Sequence, residues 1–299
     1  MAINIMGNDK DNKLFGSAGD DVISGAGGAD RIRGFGGSDV LEGGSGPDFI
    51  WGGRGEDDIY GNGGLDKICG GDGNDLIYGG SSEGEVVGNQ IWGGGGADII
   101  VGGVFDDKLW GGSGNDTIVG GDSSEFQVED REAFLIGPLW EPTGNDSIWG
   151  GEGRDWIDGG DGDDQIWGER GDDWLYGSDG DDTLWGGMGS DVIAGDGEFE
   201  YADRGDDTLW GGSGSDTFIF EEGEGTDTIK DFEVANKFYG SDKIEIGLHL
   251  RTADIVHFRQ VGTDVEITID SSEGGKLIVE NAYLDQVKDL TTIETLEIW

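Results

Sequence analysis

From Leu14 onward, one apolar position returns with a step of nine. Leu14, Ile23, Ile32, Leu41, Ile50 and Ile59 each stand two places after an Asp or Asn and two places before a Gly. The stretch 159–187, GGDGDDQIWGERGDDWLYGSDGDDTLWGG, holds three copies of this phrase. Written G-G-x-G-x-D-x-U-x, with U apolar, it starts at Gly7 and runs with interruptions to residue 219, about twenty units in all. Positions seven to nine of each unit read as a three-residue strand, its central side chain pointing one way and its flanking pair the other. The six residues before it are a turn, since Gly supplies the positive φ that chain reversal needs. Two units therefore make one coil. Odd units stack into one parallel sheet and even units into a second, with the position-eight residues between them and coils repeating at ~4.8 Å.

The sixth position is Asp at 21, 30, 39, 48, 57, 66, 75, 98, 107, 116, 146, 155, 164, 173, 182, 191, 207 and 216. Asn12 and Asn89 depart from it, Lys10 stands in the first turn, and Phe105 occupies a turn place normally held by Gly. The period breaks at 81–89, 122–143 and 196–205, always in an odd unit. The longest break contains Phe126, Phe134, Leu135, Ile136, Leu139 and Trp140, apolar enough to pack onto something.

Charge narrows the possible partners. With 65 acidic and 18 basic residues the formal charge is −47. That excludes ordinary nucleic-acid binding, which needs a positive footprint, and disfavours anionic lipid. One cysteine, Cys69, leaves no internal disulfide. The start MAINIMGNDKDNK lacks the basic and apolar regions of a secretory signal, and no apolar run of spanning length occurs.

The nonapeptide resembles the RTX (repeats-in-toxin) family, a repeat known to bind calcium. The resemblance implies an all-β fold: a right-handed parallel β-roll over 1–220 with Ca²⁺ held between successive turns, then a β-rich cap over 221–299. It implies multiple calcium ions on Asp21, Asp30, Asp39, Asp48, Asp57, Asp66, Asp75, Asp98, Asp107, Asp116, Asp146, Asp155, Asp164, Asp173, Asp182, Asp191, Asp207 and Asp216. The segment GTDTIKDF (225–232) is similar to the usual exit from such a roll, so Asp227 and Asp231 are expected to complete the last sites. Physics agrees, because stacked carboxylates repel and a hard cation taking six to eight oxygens resolves the repulsion. With so thin a core, the repeat region is expected to fold only when calcium binds.

Position nine of the odd units carries Trp51, Trp92, Trp110, Trp149, Trp167, Trp185 and Trp210 on one face. These seven are candidate partner-binding residues. Three readings stand side by side: stacked indoles supporting the sheet, self-association or docking to a cell-surface component, and polysaccharide stacking on a flat aromatic row. Strand-like alternation returns near 228–232, 242–246, 264–269 and 276–280, as a cap over the solenoid's end requires. The resemblance further implies a C-terminal signal for the type I secretion machinery, and hence an extracellular or cell-surface location. No enzyme is expected. The only histidines are His249 and His257, and Gly80-Ser81-Ser82-Glu83-Gly84 matches a nucleophile-elbow pattern without its strand-turn-helix context. The expected function is a secreted calcium-binding structural protein of surface layer, filament, matrix or adhesion type, with polysaccharide binding through the Trp row as the alternative.

Overall fold

A computed structural model describes residues 1–80, 88–121, 144–196, 205–221, 225–234, 241–249, 255–270 and 275–296. The interruption 122–143, most of 81–89 and most of 196–205 lie outside them, as does Ser81-Ser82-Glu83-Gly84. The described residues fall into two compact units, Met1–Ile148 and Trp149–Trp299. Both are parallel β-rolls built as the nine-residue step dictates.

In the first unit, Asn4–Asp9, Val22–Gly27, Val40–Ser45, Asp58–Gly63, Leu76–Tyr78, Ile99–Val101 and Thr117–Val119 pair in that order as one parallel sheet. Lys13–Phe15, Arg31–Arg33, Phe49–Arg54, Lys67–Asp72, Gln90–Gly95 and Lys108–Ser113 pair as the other. The register steps by 18, so Ile23 faces Leu41 and Ile32 faces Ile50. Across 81–87 the step becomes 23, with Ile68 facing Ile91. The position-eight side chains between the sheets are fully buried from Ile23 to Ile148, while Leu14, in the first coil, is only half-buried.

Many strands are six residues long rather than three. Val22–Gly27 and Lys67–Asp72 run through positions seven to nine and on through the first three of the next unit. The ladder continues because these Gly-rich residues still point their amides along the stack. Past the strand's end, Gly28 N donates to Ser45 O at 2.9 Å and Gly55 N to Asp72 O at 2.8 Å. Turning the corner needs positive φ at position two, which five non-Gly residues also adopt: Ala26, Phe35, Asn62, Glu169 and Ser178, with φ of 68–80°.

The second unit continues the scheme with Trp156–Asp161, Trp174–Asp179, Val192–Ala194 and Thr217–Glu221 in one sheet. Gln165–Arg170, Thr183–Met188 and Thr208–Ser213 form the other. Beyond residue 221 the sheets are extended rather than replaced. Lys243–His249 and then Thr291–Leu296 add parallel strands to the first. Thr226–Ile229 and Lys276–Val279 add parallel strands to the second. Antiparallel pairing enters only with Asp264–Asp270 and Ile255–Val261, a hairpin that ends the sheet. A short helix, Leu284–Asp289, buries Val287. Of the expected strands, 264–269 and 276–280 match closely. The others shift to Thr226–Ile229 and Lys243–His249, and Asp231-Phe232 lies outside a strand.

Candidate calcium-binding columns

The turns bring the sixth-position residues into four columns, two in each unit. In the first unit, Asp21 N donates to Asp39 Oδ1 (2.7 Å), Asp39 N to Asp57 Oδ1 (2.8 Å) and Asp57 N to Asp75 Oδ1 (2.9 Å). The same bond links Asp75 to Asp98 and Asp98 to Asp116. The opposite edge runs Asn12, Asp30, Asp48, Asp66, Asn89, Asp107 and Asp146 by the same bond. In the second unit the columns are Asp155-Asp173-Asp191-Asp216 and Asp164-Asp182-Asp207. All eighteen Asp residues expected from the repeat are buried here.

That bond uses one carboxylate oxygen. Oδ2 of Asp30, Asp39, Asp48, Asp57, Asp98, Asp107, Asp173, Asp182, Asp191, Asp207 and Asp216 is buried with no hydrogen-bond partner among the described residues. A buried charged oxygen left unmatched costs about 1–3 kcal/mol or more. These oxygens point into a cradle made by glycine. A Cβ on Gly168 would stand 2.6 Å from Asp173 Oδ2 and 2.6 Å from Gly186 O of the next coil. A carboxylate oxygen of one coil and a carbonyl oxygen of the next thus crowd the same glycine, leaving no room for a side chain there. The all-oxygen donor set, drawn from two coils, fits calcium. The column Asp residues and the position-one glycine carbonyls would hold it.

Without a cation, burial foremost and neighbouring carboxylates next push the columns out of the ordinary carboxyl range. Asp57 rises to about 7, Asp173 to about 8 and Asp107 to about 8. Asp182, buried and facing the Asp164 carboxylate, rises to about 10, and Asp227, buried beside Asp207, to about 9.

The irregular positions behave differently from one another. Asn89 keeps the ladder, its Oδ1 accepting from Asp66 N at 3.0 Å. Its Nδ2 then donates to Gly80 O and Gly102 O at 3.3 and 3.4 Å, so an amide stands where other coils offer a carboxylate oxygen. Asn12 Oδ1 accepts from Asn8 N at 2.8 Å. Phe105 takes no positive φ, yet Asp107 remains in its column.

The ends of both columns in the second unit come from the C-terminal segment. Asp227 Oδ1 accepts from Asp207 N at 3.1 Å. Asp242 completes the other column, accepting from Asp216 N at 3.1 Å and Glu233 N at 2.6 Å. Sequence reasoning passed over Asp242, although Gly240-Ser241-Asp242-Lys243-Ile244 carries the second half of the repeat. Asp231 spends both oxygens on backbone amides, Oδ1 on Gly211 N and Oδ2 on Gly212 N, at 2.9 and 3.0 Å. It holds the last coil in place as an amide acceptor. Asp196, at a position usually Gly, joins Asp207 and Asp227 in a buried group whose ligand atoms lie within 4.8 Å of one another. A second ladder, also unanticipated, runs along the exposed fifth positions in the reverse sense. Ser38 N donates to Asp20 Oδ1, Asp181 N to Asp163 Oδ1 and Ser190 N to Asp172 Oδ1, at 2.9–3.1 Å.

The tryptophans stack along the coils. Trp92 lies on Trp110 with centroids 4.8 Å apart and planes 4° apart. In the second unit Trp149, Trp167, Trp185 and Trp210 form a continuous stack at 4.7–5.0 Å. In-register parallel pairing at the strand spacing brings identical rings face to face. The indole faces are therefore covered by each other, and the rings are half-buried. Trp51 is the exception, 40% exposed, with the Arg33 guanidinium 5.0 Å from its ring centre.

Comparison with known proteins agrees with this geometry. The RTX calcium-binding nonapeptide repeat matches residues 4–32, 33–68, 62–83, 92–124, 143–175, 167–198 and 201–229. The chain belongs to that family and is a calcium-binding parallel β-roll protein that takes multiple Ca²⁺ ions. No curated protein sequence matches it. Among solved structures it is similar to the extracellular lipase LipA from Serratia marcescens, at 17% identity and a TM-score of 0.28. The match covers 86% of this chain and 40% of the lipase.

Proposed function

We propose that this chain is a secreted structural protein, exported unfolded by type I machinery and folded by calcium outside the cell. There it serves as an element of a surface layer, filament, matrix or adhesive coat. The observation that carries the reading is the set of buried, unmatched Oδ2 atoms, which makes the fold conditional on calcium. Low cytosolic calcium then keeps the chain threadable, and abundant external calcium sets it. In this reading residues 1–220 are the calcium-folded roll, and 221–299 close it and carry the export signal. The chain acts by its surface, with no catalytic role. Among the described residues no helix is long and apolar enough to cross a membrane.

The test has two arms. Far-UV circular dichroism and electron microscopy with and without calcium should show β structure and assembled particles only with the ion. A chain lacking residues 250–299 should remain in cells that carry the type I exporter, while the full chain appears outside. Calcium-independent β structure, or efficient export of the truncated chain, contradicts the reading.

A further inference from the structure

The outward positions of the first three strands of one sheet form a patch unlike the rest of the surface. Positions seven and nine there are Lys13, Phe15, Arg31, Arg33, Phe49 and Trp51. The next strand adds Lys67 and Cys69, so four strands in a chain with 65 acidic residues place no carboxylate at these positions. Register sets Lys13 directly beside Arg31, and like charges on neighbouring rungs are destabilising. None of Lys13, Arg31 and Arg33 has an ion pair among the described residues. Phe15, Phe49 and Trp51 are 49%, 46% and 40% exposed. Lys13, Phe15, Arg31, Arg33 and Phe49, with Ile32, line a cleft of about 450 Å³.

We propose that this cleft binds an acidic polysaccharide, the sugar's carboxylate or sulfate meeting Lys13, Arg31 and Arg33 while apolar sugar faces rest on Phe15 and Phe49. Three features select this occupant. The unpaired cations call for an anion. The exposed aromatic rings beside them call for a ligand with flat apolar faces. The cleft lies within the usual ~300–1,000 Å³ of a small-ligand site, whereas a protein partner would need roughly 800 Å² of matched surface. The stacked tryptophans cannot take this part, because their faces already cover one another. The proposal names a partner for the folded extracellular roll and rests on that reading.

The experiment uses the full chain at fixed calcium, with hexagalacturonate, a heparin hexasaccharide and a neutral dextran oligomer as calorimetric titrants. One or both acidic oligomers should bind, more weakly as salt rises, and dextran should not. Which acidic sugar wins separates carboxylate from sulfate recognition. R31E/R33E should weaken binding about tenfold or more, since charge-assisted bonds are lost, and F15A/F49A should weaken it without altering the salt dependence. Circular dichroism of each variant at the same calcium confirms the roll, so failure of the calcium reading is seen separately from failure of this one. The proposal is overturned if neither acidic oligomer binds the folded chain. Equal binding of dextran overturns it, as does acidic-sugar binding that survives both variants, the mark of calcium bridging to the acidic edges. Sedimentation showing self-association that R31E/R33E abolishes, with no sugar binding, would assign the patch to a second copy instead.

Discussion

Stripped of calcium, the chain should lack the roll at neutral pH and regain part of it on acidification. Burial first, then neighbouring carboxylates, raise the metal-free fold's proton affinities, and backbone hydrogen bonds offset part of the rise. Asp107 is held at about 8, Asp146 and Asp207 at about 7, Asp227 at about 9 and Asp182 at about 10. An unfolded Asp titrates near 4. Because each folded value is raised, protons favour the folded chain. The stabilisation is complete below about 4 and is lost as pH climbs through 7 to 10. At ~1.36 kcal/mol per unit, folding without calcium at pH 7.4 costs each group roughly 4–5 kcal/mol, and the set more than about 10 even with the coupled Asp207–Asp227 pair counted once. That takes most or all of an ordinary domain's net stability, about 5–15 kcal/mol. At pH 5 the cost falls to about 1–2 kcal/mol each. The assay is far-UV circular dichroism of metal-stripped protein from pH 8 to pH 5, above the isoelectric point of about 4.1. D182N/D227N should bring the β signal in at higher pH, since Asn89 shows that an amide fits a column. The exposed pair D163N/D172N removes equal charge and should move it far less. Full β structure in metal-free protein at pH 7.4, loss of it on acidification, or equal shifts in both double variants would refute the reasoning.

Three further outcomes follow from local geometry. Gly168→Ala places a methyl 2.6 Å from both Asp173 Oδ2 and Gly186 O at a backbone φ that Ala accepts; equilibrium dialysis should count fewer bound calcium ions. Ala26→Gly relieves a positive φ of 77°, worth up to about 1 kcal/mol; the thermal midpoint of the calcium-loaded chain should rise. Trp167→Ala removes two stacking contacts, at 4.7 and 4.8 Å, for about 1–3 kcal/mol; urea unfolding should register the loss, and the exciton signal of coupled indoles should shrink with it.

The columns were legible because one constraint repeats: each Asp stands two places before a buried apolar residue, so locating Ile157 or Ile166 also locates Asp155 or Asp164. Strand length was hidden, since glycine at positions one to three reads as turn while its amides still join the ladder. The orientation of the tryptophans was hidden too. Alternation assigns Trp167 to an outward face, but whether an indole lies flat or stacks on Trp185 is a matter of side-chain torsions and register. Asp242 was missed for a different reason: its half-repeat lacks the leading glycines, and its partner Asp216 lies 26 residues away. The cleft at Lys13 and Arg31 was hidden because the acid-free outward positions of these strands are averaged out in a chain with 65 acidic residues.

The 18-residue step makes length a quantity this architecture can change in whole coils only. Excising 168–185 would close Gly159–Trp167 onto Gly186 with every later residue returning to its own sheet. Excising nine would send each later segment to the opposite sheet, setting Tyr and Val where indoles had neighbours. Extra chain is harmless at a corner, as the step of 39 from Asp107 to Asp146 shows. Descendants of this sequence can therefore lengthen, shorten or sprout loops at the corners, but cannot slip by half a turn.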